Sequence, residues 1–258
     1  MLAYETPGDV ADALKLMGGA GAVVIAGGTT NFGDIAEEPH KYSVVVDITK
    51  LGLRKIARDG GVISIGAAAT MADLLGDPDL ATLHGAARAV GGPALRNAAT
   101  VGGNIIYGGD LVAALLALGA DVVVSRADGA STGPLSAFYD GDAAQPHLVT
   151  EVRIDTNKKG KFGFYKLARR RDNARSVVAA GVAQDTSGRV QIGLVGVAPR
   201  PVVVEGPAGL MDAPQSAAEL RGALDAALAQ WEPPTDSHAT AAYRRRMAPV
   251  AVARAVAG

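Results

Sequence analysis

Apolar residues at helical spacing run through Val10-Ala11-Asp12-Ala13-Leu14-Lys15-Leu16-Met17 and stop at Gly18-Gly19, which predicts an amphipathic helix introduced by Pro7-Gly8-Asp9. Short unbroken apolar runs follow at Ala22-Val23-Val24-Ile25 and Ser43-Val44-Val45-Val46-Asp47-Ile48, the pattern of buried strands. The chain therefore begins as a helix-strand-loop-strand unit. Past Ile56 the texture changes, with a strand at Val62 to Ala67, a helix Met71 to Leu75 capped by Thr70, and a helix Leu83 to Val90. Leu111 to Leu118 is apolar on every side, as in a buried helix. It ends at Gly119, with a strand at Asp121 to Ser125 behind it. The polar stretch Asp155-Thr156-Asn157-Lys158-Lys159-Gly160 marks a domain boundary. Beyond it, Phe162 to Arg169, Ser176 to Gln184 and Val190 to Val197 read as an antiparallel sheet, although the second run suits a helix equally well. Ala217 to Trp231 and Thr240 to Val256 are closing helices. The whole is mixed α and β without repeats.

Composition narrows the function classes. Of 258 residues 48% are hydrophobic and 20% charged, enough apolar material for a sizeable core, and the net charge of −1 argues against an electrostatic nucleic-acid binder. The basic run Lys166 to Arg175 is a local exception, and its plain reading is a solvated charged edge. Without cysteine the chain has no disulfide, thiolate metal site or iron–sulfur cluster of its own. No apolar run approaches the roughly 20 residues of a membrane span and the N-terminus lacks a leader pattern, so a cytoplasmic location is expected. His40, His84, His147 and His238 lack metal-ligand spacing, and no catalytic acid, base or nucleophile is assigned. Asp47 reads as a strand-end turn residue and Asp73 as a solvated helix residue.

Two glycine-paired segments carry the chemistry, Ala26-Gly27-Gly28-Thr29-Thr30-Asn31 and Thr100-Val101-Gly102-Gly103-Asn104. Glycine has no Cβ to hold an anion away, so each can aim backbone N–H groups at a phosphate. Neither fits the P-loop or the dinucleotide-binding spacing, and a lone Gly-Gly is more often a tight turn. Two such segments far apart in sequence suggest a diphosphate held from both sides.

With Val46-Asp47-Ile48-Thr49, Ile65-Gly66-Ala67, Arg96-Asn97, Leu115-Leu116-Ala117-Leu118, Tyr165-Lys166-Leu167, Arg170, Val195 to Pro201 and Tyr243-Arg244-Arg245-Arg246, the two segments form an ordered set over nearly the whole chain. That set resembles the FAD-binding medium subunit, or middle domain, of molybdenum hydroxylases. The resemblance implies an α+β chain: a two-subdomain flavin-binding fold of the vanillyl-alcohol-oxidase-like type, then a smaller C-terminal domain of antiparallel sheet and helices. Residues 1–155 would form the FAD-binding domain, with subdomains of about 1–55 and 56–155, and residues 156–258 the C-terminal domain.

Carried over by position, the resemblance places Ala26, Gly27, Gly28, Thr29, Thr30 and Asn31 with Thr100, Gly102, Gly103 and Asn104 around the diphosphate, backbone N–H groups being the main donors. It makes Asp110 and Lys166 cofactor-side residues, sets Val149 against the flavin and makes Tyr165 a ring-facing aromatic. Between Asn104 and Asp110 this chain is about three residues shorter than the family pattern. The implied activity is FAD-dependent redox relay. Electrons would come from an iron–sulfur subunit fed by a molybdopterin subunit, and leave for NAD, a quinone or oxygen. A stand-alone flavoenzyme and a non-catalytic assembly module are the alternatives.

Overall fold

The structure is a computed structural model describing residues 2–141, 145–158, 160–170 and 173–258. Lys159 of the polar boundary stretch, and Arg171 and Asp172 of the basic run, lie outside the described residues. The first part comprises β1 (Ala3–Glu5), α1 (Val10–Met17), β2 (Ala22–Ile25), α2 (Asn31–Glu37) and β3 (Val44–Asp47). The strands make a parallel sheet in the order β1-β3-β2. Asp9 caps α1 by accepting from the Asp12 N–H, and Ala13 and Leu14 pack on Val46 and Ile48. Two elements depart from the expected helix-strand-loop-strand unit. A three-residue β1 precedes the helix, and the supposed loop contains α2, whose Gly33 and Asn31 are weak helix formers.

The second part runs through β4 (Ile56–Asp59), β5 (Val62–Gly66), α3 (Met71–Gly76), α4 (Ala81–Ala89), α5 (Pro93–Ala98), α6 (Val101–Tyr107), α7 (Asp110–Ala117), β6 (Asp121–Arg126), β7 (Gly129–Pro134), α8 (Leu135–Asp140) and β8 (Leu148–Asp155). Its five strands form an antiparallel sheet ordered β4-β5-β8-β6-β7. Thr70 caps α3 as expected, but Asp73 is not a free solvated residue. Its carboxylate closes a capping box on the Thr70 N–H and takes two hydrogen bonds from Arg54, which hold it below the usual carboxylate range.

The third part has β9 (Lys161–Ala168), β10 (Ser176–Gln184), β11 (Val190–Val195), β12 (Val202–Glu205), α9 (Ala217–Ala227) and α10 (Ala241–Ala257). Its antiparallel sheet has the order β12-β11-β10-β9, so the run at 176–184 is a strand. Residues 177–183 of β10 are all buried because the sheet is covered on both sides, by α10 and by α7. That double cover erases the alternation that marks a half-exposed strand.

Helix α7 joins the second and third parts. All its residues are buried, and its leucines Leu111, Leu115 and Leu116 each contribute on the order of 2 kcal/mol through burial. The sheet approaches its backbone so closely that a Cβ on Gly181 or Gly193 would lie 2.4 or 2.2 Å from the Ala113 carbonyl oxygen.

Candidate functional site

The first glycine segment connects β2 to α2. Gly28 has φ +65°, a left-handed conformation that favours glycine, and the Phe32 ring lies where a Gly28 Cβ would project. Asn31 is anchored by its side chain, which donates to the Val24 carbonyl at 2.5 Å. Among the described residues, the backbone N–H groups of Gly27, Gly28, Thr29, Thr30 and Asn31 meet no protein acceptor. Thr30 precedes α2 without a side-chain cap. Ala26 to Thr30 is half-buried except for the exposed Thr29. Successive unpaired N–H groups around a left-handed glycine form a concavity suited to an anion. The donor set therefore fits a diphosphate.

The second segment is built differently. Residues 101–104 are the first turn of α6, with Thr100 as its N-cap. The Val101 N–H donates to Ala69 O, Gly102 to Ala67 O, Gly103 to Thr100 Oγ1 and Asn104 to Thr100 O. Of the four N–H groups that a helix start ordinarily leaves open, those of Val101, Gly102 and Gly103 are thus taken by protein, whereas the Thr100 N–H meets no acceptor among the described residues. Asn104 makes the first ordinary helical bond. The expectation that backbone donors of this segment hold the diphosphate therefore narrows to the Thr100 N–H. Gly102 is a packing residue, since its Cβ would stand 2.8 Å from the Ala67 Cβ, whereas Gly103 is exposed. The buried Asn104 accepts from the Leu111 N–H through Oδ1 at 3.1 Å, capping α7 where Gly109 has no side chain to do so.

The two segments meet. A Cβ on Gly27 would lie 1.9 Å from the Ala98 carbonyl oxygen, two residues before Thr100, so only glycine fits that crossing. Asp110 and Lys166 also meet, at 2.6 Å from Oδ2 to Nζ, with both side chains about 10% exposed. The same ammonium donates to Ala89 O at the end of α4. Lys166 is therefore turned inward as a tie between β9, α4 and α7, and not part of a solvated edge. Two of its three donors are occupied within the protein.

Val149 and Tyr165 stand elsewhere. Val149 is 3% exposed and packs in the core of the second part, beside a bulge where β8 changes register against β6. Strand alternation puts Tyr165 on the opposite face of β9 from Lys166. Its ring lies 5.2 Å from the Arg254 guanidinium, which also donates to its hydroxyl. Val149 shares its core with Val101 and Ile105 of α6, whereas Tyr165 packs in the core of the third part. The aromatic residues on the Lys166 face are Phe162 and Phe164, which pack toward the second part, Phe164 beside Gly85. Sequence reasoning also passed over Phe32, Ile106 and Tyr107, large apolar side chains exposed near the glycine segments. Gly103, Ile106 and Tyr107 have i, i+3, i+4 spacing, a signal legible only once 101–107 is read as helix.

Comparison with known proteins shows the family. The family described as "FAD binding domain in molybdopterin dehydrogenase" matches residues 1–155, and "CO dehydrogenase flavoprotein C-terminal domain" matches residues 163–258. The chain is 35% identical over 176 residues to the nicotinate dehydrogenase FAD-subunit of Eubacterium barkeri, a match spanning 62% of this chain and 60% of that protein. It is 28% identical to the carbon monoxide dehydrogenase medium chain of Hydrogenophaga pseudoflava, over 98% of this chain and 95% of the relative. A solved structure of carbon monoxide dehydrogenase from Hydrogenophaga pseudoflava, lacking the Mo-pyranopterin moiety, superposes with a TM-score of 0.84 at 26% identity, covering 99% of this chain and 96% of that one.

Proposed function

This chain belongs to the family of FAD-binding domains of molybdopterin dehydrogenases, and on that premise we propose that it is the flavoprotein subunit of a heteromeric molybdenum/iron–sulfur dehydrogenase. In this reading it passes electrons from iron–sulfur clusters of a partner to NAD, a quinone or oxygen. When bound, FAD supplies redox chemistry that no side chain of the protein can supply. The chain's own residues bind and orient the cofactor. The N–H groups of 27–31 hold the diphosphate, the exposed Gly103 lets it approach α6, and the Lys166–Asp110 pair fixes the third part against the second. The observation that carries the reading is the row of unpaired N–H groups around Gly28, crossed by Ala98 at Gly27.

The absence of cysteine supports the division of labour, because clusters need thiolates from another polypeptide. A molybdopterin subunit completes the proposed complex, and substrate recognition belongs to it. We take residues 1–155 as the FAD-binding domain, divided near residue 55, and 156–258 as the C-terminal domain, a division supported by the separate sheet each part builds. A cytoplasmic location is part of the reading, and cell fractionation tests it.

Native purification with a visible spectrum tests the function. The expected result is a yellow chain copurifying with iron–sulfur and molybdenum subunits. A yellow homo-oligomer that alone turns over a small substrate would replace the relay with a stand-alone flavoenzyme. A chain that stays colourless after incubation with FAD would overturn both.

A further inference from the structure

The second glycine segment poses a charge problem. If the chain holds FAD as proposed, the diphosphate has two negative charges, yet the N–H groups of residues 101–104 are already engaged. Lys166, the cation assigned to the cofactor by resemblance, is paired with Asp110 and donates to Ala89 O as well. Among the described residues the start of α6 therefore offers a diphosphate the Thr100 N–H but no spare charge from Lys166, and an unpaired cation would complete that side.

One stands on the outward face of the same helix. Tyr107 lies one turn beyond Gly103, about 6 Å along the axis, and is 47% exposed. The Arg175 guanidinium, from the connection between β9 and β10, is 5.3 Å from the Tyr107 ring centroid. Among the described residues no acceptor takes a hydrogen bond from Arg175, and its side chain is exposed. A guanidinium held over an aromatic face keeps its N–H fork directed outward at the edge, where it matches two phosphate oxygens. Gly27 is crossed by Ala98, and Thr100 two residues on caps α6, so the first glycine segment stands beside the start of the helix that carries Tyr107.

We propose that Arg175, positioned by Tyr107, is the cation that meets the FAD diphosphate on the α6 side of the site. The backbone donors of 27–31 then hold the diphosphate from one side and a side-chain fork holds it from the other. The inference rests on the flavin reading above. It goes beyond the glycine motifs, because neither Arg175 nor Tyr107 belongs to them, and the tight Gly108-Gly109 turn is what lets α7 begin directly after Tyr107.

The test titrates the full-length chain, stripped of flavin, with FAD, FMN and riboflavin and follows flavin fluorescence. Arg175→Gln should weaken FAD about tenfold and leave riboflavin, which has no phosphate, within about twofold. Arg175→Lys should recover part of the loss, keeping the charge without the fork. Tyr107→Leu should weaken FAD less than Arg175→Gln does. Wild-type FAD affinity should also fall more steeply with salt than that of the Arg175→Gln chain. Arg175 and Tyr107 are exposed, and unchanged thermal unfolding of the variants would show that the fold is kept. Wild-type uptake of FAD with equal affinity in Arg175→Gln overturns the role of Arg175 alone. Equal losses for FAD and riboflavin overturn the diphosphate as its target. A wild-type chain that takes up no flavin overturns the function itself, and this inference with it.

Discussion

The two glycine segments look alike in sequence and do opposite work in the fold. In Gly27 to Asn31 the backbone N–H groups are left without acceptors among the described residues and the side chains do the anchoring, Asn31 on Val24 and Phe32 on Gly28. In Val101 to Asn104 the N–H groups are closed by Ala69, Ala67 and Thr100, and one glycine is consumed by packing. The first segment is open to a ligand, and the second is mainly a piece of architecture that presents its outer surface and the Thr100 N–H. Paired glycines thus mark a close approach, but what approaches can be an anion or another stretch of backbone.

The sharpest way to break this contrast is on the closed side. Lys166→Met would leave Asp110 buried and unpaired beside α6, and the chain should lose about 3 kcal/mol of stability, read as a fall in the denaturant midpoint. A loss below about 1 kcal/mol would mean that the pair is not the tie described. Gly102→Val pushes a side chain into Ala67 and should cost about 2–3 kcal/mol, with FAD retention following the loss of fold. Its neighbour gives a milder signature: the Cβ of Gly103→Val would stand 2.9 Å from the capping Thr100 Oγ1 and should cost about 1 kcal/mol of stability, while weakening FAD about tenfold, close to 1.4 kcal/mol, by covering the open surface. Equal FAD affinity in a folded Gly103→Val chain would remove α6 from the site.

A smaller effect separates the site from the rest of the third part. Burial acts to raise Asp236, but N–H groups of Ala239 and His238 and the Arg244 guanidinium outweigh it and hold the carboxyl at about 2. Its contribution to stability is therefore complete above its ordinary value near 3.8 and is lost as pH falls toward about 2. Because Asp236 is 42% exposed, the contribution is expected to stay under about 1 kcal/mol. Asp236→Asn should flatten stability in that pH window and leave FAD affinity at neutral pH unchanged; a tenfold loss of affinity there would extend the site into the α9–α10 connection.

Much of the fold was legible because its elements announce themselves locally. Asp9 and Thr70 cap helices, Gly18 and Gly19 stop one, and the all-apolar run at 111–118 is the helix trapped between the sheet of the third part and helices α4 and α6. What was not legible depends on tertiary cover. Residues 177–183 lose their alternation because α7 and α10 bury both faces, and β7, Gly129–Pro134, is an exposed edge with no apolar signal. In the candidate site, the glycine positions were readable as places of close approach. Which N–H groups stay unpaired was not, since that depends on Ala67 and Ala69 reaching across from the end of β5. The pairing of Lys166 with Asp110, 56 residues apart, and the turn of Tyr165 toward α10 follow from sheet packing rather than from local pattern.

Amide hydrogen exchange on the flavin-free chain and on the same chain with saturating FAD tests the open-and-closed contrast most directly. The prediction is fast exchange at residues 27–31 that slows about tenfold or more with FAD, while residues 101–104 are protected in both states. Exchange at 27–31 that FAD leaves untouched, or new protection appearing instead at 101–104, would contradict it.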